Sequence, residues 1–164
     1  MLTFRQFIEN DADHQQALNQ TGFWGKQGAG CIIVARGTGK ILMPLRSRYV
    51  LEPNTWGTWG GAIDSQEIPA EAAKREVQEE AGYTGNVETI PLKVFQKNQF
   101  KYHNFLAIVD SEFTPTLNWE TQEAIWTDLD KIHELPQSLH FGLKWILDND
   151  GEKIRTIIEN LKKQ

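Results

Sequence analysis

Cysteine is nearly absent: Cys31 stands alone among 164 residues, so a disulfide framework or a thiolate metal cluster within the chain is excluded. Its neighbours Ile32, Ile33 and Val34 make it a buried strand thiol. No apolar run approaches the roughly 20 residues that cross a bilayer. Met1-Leu2-Thr3-Phe4-Arg5 lacks the basic n-region and apolar h-region of a secretory leader. These absences point to a cytoplasmic protein. Basic residues are the minority, with Lys and Arg at 17 against 22 Asp and Glu and a net charge of −5. That balance argues against general nucleic-acid binding, which relies on clustered cations, and leaves room for a local phosphate pocket. There is no repeat, no low-complexity tract and no linker, so the length suits one domain with its own core.

What is present concentrates between Gly61 and Tyr83, which reads GAIDSQEIPAEAAKREVQEEAGY. Pro69 suits a first helical position, where no N–H is needed, and Gly82 suits the left-handed residue that ends a helix. A helix is predicted between them, with Ala73, Val77 and Ala81 as its apolar stripe. Its other side carries Glu76, Glu79 and Glu80, whose spacing puts them on one face, where like charges destabilise by roughly 0.2–0.5 kcal/mol per pair. Arg75 reaches Glu79 at i+4, but Ala72 and Ala73 stand where a cation for Glu76 is expected. The crowding points to a divalent ion, and an all-oxygen set favours a hard one such as Mg2+ or Mn2+.

As a pattern the segment is G-x5-E-x7-R-E-V-x-E-E-x-G-Y, which resembles the Nudix box of the Nudix hydrolases. Gly61, Glu67, Arg75, Glu76, Glu79, Glu80 and Gly82 fall on its fixed positions. Tyr83 replaces the usual closing aliphatic residue. Upstream, Trp56-Gly57-Thr58-Trp59-Gly60-Gly61 is similar to the family's W-G-L-P-G-G, with Trp59 in place of proline. The resemblance implies an α/β fold, the Nudix α/β/α sandwich with a mixed sheet in a single domain. It also implies Mg2+- or Mn2+-dependent hydrolysis of a diphosphate linkage in a nucleoside diphosphate joined to a group X. Carried over by position, Glu76, Glu79 and Glu80 are metal ligands, with the Gly60 carbonyl as a further one. Parts of the family instead use the Glu76 position as the base that deprotonates water, and the sequence leaves that choice open. Arg75 would orient Glu76 or its neighbours, and Glu67 would bind in the outer shell or hold the loop.

Along the rest of the chain, the part up to about Lys26 fits a strand or a helix. Residues 1–26 are expected as an extension packed on a Nudix domain of residues 27–150, followed by a C-terminal helix at 151–164. Ala29 to Ala35 and Ile41 to Leu45 read as a hairpin, and Ser47 to Trp59 as the loop leading to the box. Val87 to Gln96, Phe100 to Val109 and Glu123 to Trp126 read as further strands. Leu139, Leu143, Ile146 and Leu147 predict an amphipathic helix broken at Asp148-Asn149-Asp150-Gly151. Ile154, Ile157, Ile158 and Leu161 predict a final helix, packed on its own domain.

Outside the box, Glu120 and Glu123 are candidates for a further carboxylate, Glu123 because it precedes Trp126 in the family's E-x-x-W spacing. Arg46, Lys93, Lys97 and Lys101 are candidate phosphate contacts. Trp56, Trp59, Phe100 and Tyr102 are candidates to stack on a base, since aromatic faces accept any base. The four histidines show no ligand spacing. The expected partner is a small-molecule nucleotide, without membrane, and monomer or homodimer is left open. The leading substrate reading is a nucleoside or deoxynucleoside triphosphate, split to monophosphate and diphosphate. A dinucleoside polyphosphate is the second, because Tyr102 lies near the place of that branch's tyrosine. ADP-ribose or a nucleotide sugar is the third, although Pro91 falls too early for its proline. A non-catalytic nucleotide sensor is the reading of another class, and such proteins usually lose the box carboxylates that are all present in this chain.

Overall fold

The computed structural model describes residues 27–164, so the strand-or-helix alternative before Gln27, and its packing, lie outside the described residues. Ala29 to Ala35 is almost uniformly apolar, the mark of a strand covered on both faces, and it forms the centre of the sheet within β1 (Gln27–Ala35). Along one edge β1 pairs parallel with β6 (Phe100–Val109). Its other edge is shared. β2 (Ile41–Arg46) takes Ile33 and Val34, and β3 (Trp59–Ala62) takes Gly28 to Cys31, both antiparallel. Beyond β6 lie β4 (Val87–Pro91) and β5 (Phe95–Lys97), and beyond β2 lies β7 (Thr121–Thr127).

Alternation along the strands builds two cores. Ile32, Val34, Met43, Leu106 and Ile108 pack against α2 (Phe141–Leu161), through Leu143, Ile146, Ile154 and Ile158. Cys31, Ile33, Leu42, Phe105 and Ala107 pack against α1 (Pro69–Ala81), through Ala72, Ala73, Val77 and Ala81. The small residues of α1 let it lie close to the sheet. The result is a helix layer on each face of a mixed sheet. α1 starts at Pro69 and ends at Gly82, whose φ of 70° lets its N–H return to Gln78, the left-handed cap expected of glycine.

Three elements differ from expectation. α2 is not broken at Asp148–Gly151: it runs from Phe141 to Leu161, and the boundary expected at residue 150 falls inside it. Glycine inside a helix costs roughly 1 kcal/mol, which the buried stripe on both sides of Gly151 outweighs. Asp150 is buried rather than a solvated breaker, and its carboxylate accepts the N–H of Lys93 at 2.6 Å. The strand expected from Val87 to Gln96 is two, because Leu92, Lys93 and Val94 face only His103 and Asn104 on β6. The loop before the box ends in β3, which starts at Trp59.

Trp56 and Trp59, named above as candidates to stack on a base, are core side chains. Trp59 is fully buried under α1 and donates its indole N–H to the Leu42 carbonyl at 2.8 Å. Trp56 is 2% exposed, and its indole N–H meets Gln137 Oε1 at 3.0 Å. Trp59 thus ties β3 to β2 where both leave the edge of β1. Trp59→Ala is expected to lower unfolding free energy by about 3–5 kcal/mol, the range for deleting a buried Trp, as read by urea denaturation. A loss below about 1 kcal/mol, the scale of an ordinary substitution, would contradict this placement.

Candidate active site

α1 lies against β3, and β3 is nearly all glycine and alanine after Trp59. That bareness is required. A Cβ on Gly61 would stand 2.7 Å from Glu76 Oε1, and one on Gly60 would stand 2.3 Å from the Tyr102 hydroxyl. The backbone therefore approaches two buried carboxylates directly. Glu76 and Glu80 are each 7% exposed, and Gly60 donates its N–H to Glu80 Oε2 at 2.9 Å. Glu120, in the turn before β7, shares a hydrogen bond with Glu80. Its own N–H is held by Asn118 Oδ1 at 2.9 Å.

Arg75 staples the loop to the helix. Its Nε and Nη2 grip both oxygens of Glu67 at 2.9 and 3.0 Å, and Nη2 also donates to the Ala62 carbonyl. Nη1 meets Glu76 at 2.8 Å and Glu79 at 3.1 Å. Glu67 in turn accepts the Asp64 N–H at 3.1 Å, closing the loop, and Arg75 holds its carboxyl below the usual range. Glu76 thus has a cation after all, from its own neighbour. Among the described residues, Glu80 and Glu120 have none within ion-pair distance. Burial pushes Glu76 up to about 7 despite Arg75, and burial with the adjacent Glu120 raises Glu80 well above the carboxylate range. Crowded buried carboxylates hold protons because the charged forms are poorly solvated and repel each other.

Glu76, Glu79, Glu80 and Glu120 line a cleft of about 720 Å3. Tyr102 crosses its floor over Gly28 and Gly30, where a Cβ would meet the ring at 2.7 Å and the hydroxyl at 2.3 Å. Burial and the Glu80 charge raise its phenol, so it stays a neutral donor. Arg46 faces the carboxylates across the cleft. Its Nε and Nη2 donate to the Leu51 carbonyl at 2.9 and 2.6 Å, and among the described residues it has no carboxylate at ion-pair distance. His140 adds no charge, because burial and Arg46 lower it to about 4 and its Nδ1 accepts the Gly142 N–H at 3.0 Å. Phe95, Phe100, Phe141 and Trp145 supply aromatic walls.

A sequence model of the NUDIX domain matches residues 25–148. The chain belongs to the Nudix hydrolase family. Dihydroneopterin triphosphate diphosphatase of Haemophilus influenzae is 28% identical over 151 residues, covering 80% of this chain and 87% of that one. A Mycobacterium tuberculosis protein named for 8-oxo-dGTP diphosphatase activity is 28% identical over 134 residues, covering 75% of this chain. This chain spans only 62% of that relative's length. The crystal structure of the Nudix hydrolase RenU from M. smegmatis superposes with a TM-score of 0.66 at 23% identity, over 84% of this chain and 89% of RenU. The mixed sheet between two helix layers is the fold of the Nudix structures. No helix among the described residues is long and apolar enough to cross a membrane.

The fold brings Gly60 together with Glu67, Arg75, Glu76, Glu79 and Glu80 of the Nudix box, and sets Arg46, Phe100 and Tyr102 along the adjoining cleft. It does not bring Glu123 there: Glu123 is exposed on β7 opposite Leu45, and Glu120 is the carboxylate that reaches Glu80. Lys93, Lys97 and Lys101 do not line the cleft. Sequence reasoning missed Phe95, Phe141, Trp145 and His140. Only the i, i+4 spacing of Phe141 and Trp145, which puts both on one helix face, offered a signal.

The raised carboxyls give a pH signature in metal-free protein. A carboxyl whose folded pKa exceeds its unfolded value binds more protons in the folded state across the interval, so stability falls as pH rises. For Glu76 the interval runs from 4.5 to about 7, and Glu80 acts in the same sense. Urea denaturation between pH 5 and 8 should show stability dropping by up to about 3 kcal/mol from Glu76, and Glu76→Gln should flatten part of that slope. A rise over this range would contradict the burial described.

Proposed function

We propose that this chain hydrolyses a nucleoside or deoxynucleoside triphosphate to the monophosphate and diphosphate, using Mg2+ or Mn2+. The observation that carries this reading is the juxtaposition, in one cleft, of the buried carboxylates Glu76, Glu80 and the adjacent Glu120 with the cation Arg46, which among the described residues has no carboxylate at ion-pair distance. Carboxylates favour hard divalent ions, and a protonated, crowded pair is the state such a set adopts without one. Among the described residues no three His, Cys, Asp or Glu side chains converge as a ready-made metal site. Glu76 is turned to Arg75, and Glu80 to Gly60 and Glu120. Loading an ion would therefore favour the charged form of Glu80, whose carboxyl is held raised by burial and the adjacent Glu120.

Glu79, Glu80, Glu120 and the Gly60 carbonyl would hold the ion. When bound it neutralises phosphate charge, acidifies water and aligns the leaving group. The chain's own groups do the rest. Water adds to phosphorus, the P–O bond to the departing diphosphate breaks, and the proton of the water passes to a carboxylate. Glu76, poised at about 7, suits that proton, since a general base works best near ambient pH. Arg75 keeps its carboxylate aimed at the β3 backbone. Arg46 binds phosphate oxygens, and Tyr102 donates from the floor.

Both curated relatives described above carry a triphosphate in their names, which supports a triphosphate over ADP-ribose. The aromatic side chains of Phe95, Phe141 and Trp145 meet edge to face at one wall of the cleft, which offers a place for a nucleoside base.

Incubation with Mg2+ and a nucleotide panel, with chromatography of the products, tests the reading. Monophosphate and diphosphate should appear together from a triphosphate. Glu80→Gln should lower turnover by at least ~10²-fold, the lower range for a lost catalytic group, while metal-free stability holds or rises. Tight nucleotide binding without any product would mean a sensor instead. Wild-type turnover by Glu80→Gln at saturating Mg2+ would remove Glu80 from the site.

A further inference from the structure

β4 and β5 are one strand interrupted by an extra residue. Pro91 faces Phe105 and Phe95 faces Tyr102, so three residues stand opposite two, His103 and Asn104. One extra residue reverses the face taken by everything after it. Leu92 lies in the core under α2, whereas Val94 is 45% exposed. Phe95 consequently takes the face of Tyr102 and enters the cleft. Its ring meets Phe141 at 5.9 Å and Trp145 at 5.3 Å, both edge to face, at separations where aromatic rings attract.

A bulge leaves backbone groups off the ladder, and here other elements take them. The Lys93 N–H donates to the Asp150 carboxylate at 2.6 Å, and the Lys93 carbonyl accepts from Asn104 Nδ2 at 2.9 Å. The Leu92 N–H reaches the Asn104 carbonyl at 2.8 Å, and Lys153 Nζ reaches the Pro91 carbonyl at 2.8 Å. Asp150 is only 9% exposed and does not line the cleft. Helix α2 therefore supplies two rings, Phe141 and Trp145, and also the anchor that turns the third ring toward them.

We propose that Asp150 is a positioning residue for substrate. By holding the bulge at Lys93 it sets Phe95 against Phe141 and Trp145, and these rings hold the planar base of a nucleoside whose phosphates lie at the carboxylates. The inference rests on the triphosphate reading above.

The test compares KM and kcat on a nucleoside triphosphate and on inorganic tripolyphosphate, which has no ring, together with hydrogen exchange at the Lys93 amide. Asp150→Ala should raise KM for the nucleotide about tenfold, roughly the worth of one aromatic contact. Its kcat and its tripolyphosphate kinetics should stay within about twofold, and Lys93 exchange should quicken at least about tenfold with loss of the acceptor. Asp150→Asn, which keeps an acceptor, should return both values toward wild type. Phe95→Ala should raise KM similarly, and adding Asp150→Ala to it should raise KM little further, as for coupled sites. If Asp150→Ala does not fold, Asp150→Ser takes its place. Wild-type KM in the presence of fast Lys93 exchange, additive effects in the double variant, or a parallel loss on tripolyphosphate would each overturn the proposal. If the wild type splits no nucleotide, the hydrolase reading fails alone. The affinity for a nucleoside monophosphate, by tryptophan fluorescence, then replaces KM with the same expected pattern.

Discussion

Two carboxylates, Glu76 and Glu80, are pressed against the paired glycines Gly60 and Gly61 of β3, and most of the site follows from that contact. Gly61 lets Glu76 approach the backbone, and Gly60 offers an N–H to Glu80. Removing charge from water is costly unless it is paired. Arg75 pairs Glu76, but Glu80 leans on Glu120, another acid. Burial therefore raises both carboxyls, and in the function proposed above a divalent ion would take the place of their protons. The same bareness makes room for Tyr102 to lie across Gly28 and Gly30 and form the floor.

The sheet explains why this corner opens into a cleft rather than a core. β2 and β3 share one edge of β1 end to end, so the sheet has a split where Arg46, at the end of β2, and Gly60, on β3, look onto common space. Buried indoles set the margins of the split: Trp59 is bonded to β2, and Trp56 to the segment before α2. The structural and chemical parts of the W-G-T-W-G-G run thus divide cleanly, with tryptophans for packing and glycines for approach.

What the sequence disclosed was local. Pro69, Gly82 and the i, i+4 stripe of Ala73, Val77 and Ala81 define α1 without reference to anything else, and the carboxylate spacing places the acids on it. Uniform apolarity marked β1 as central. What stayed hidden depends on partners. Whether Asp150 breaks a helix or anchors a strand turns on Lys93, far away in the chain. The bulge that aims Phe95 is a mismatch in count between two strands, which neither strand records alone. Glu120 stands in the turn before β7 and Glu123 within that strand, so the motif spacing that favoured Glu123 could not show that Glu120 is the one beside Glu80. Trp59 looked like a ligand platform because an indole at a loop end is ambiguous until its N–H partner is known.

The central claim is that the acidic corner exchanges protons for a divalent ion. Calorimetric titration of the protein with Mg2+ or Mn2+ near pH 6.5, in buffers of different ionisation enthalpy, counts protons released per ion bound. The account predicts release of about one proton or more per ion, falling as pH rises above the raised carboxyls. Binding with no proton release at pH 6.5, or no binding at all, would contradict it.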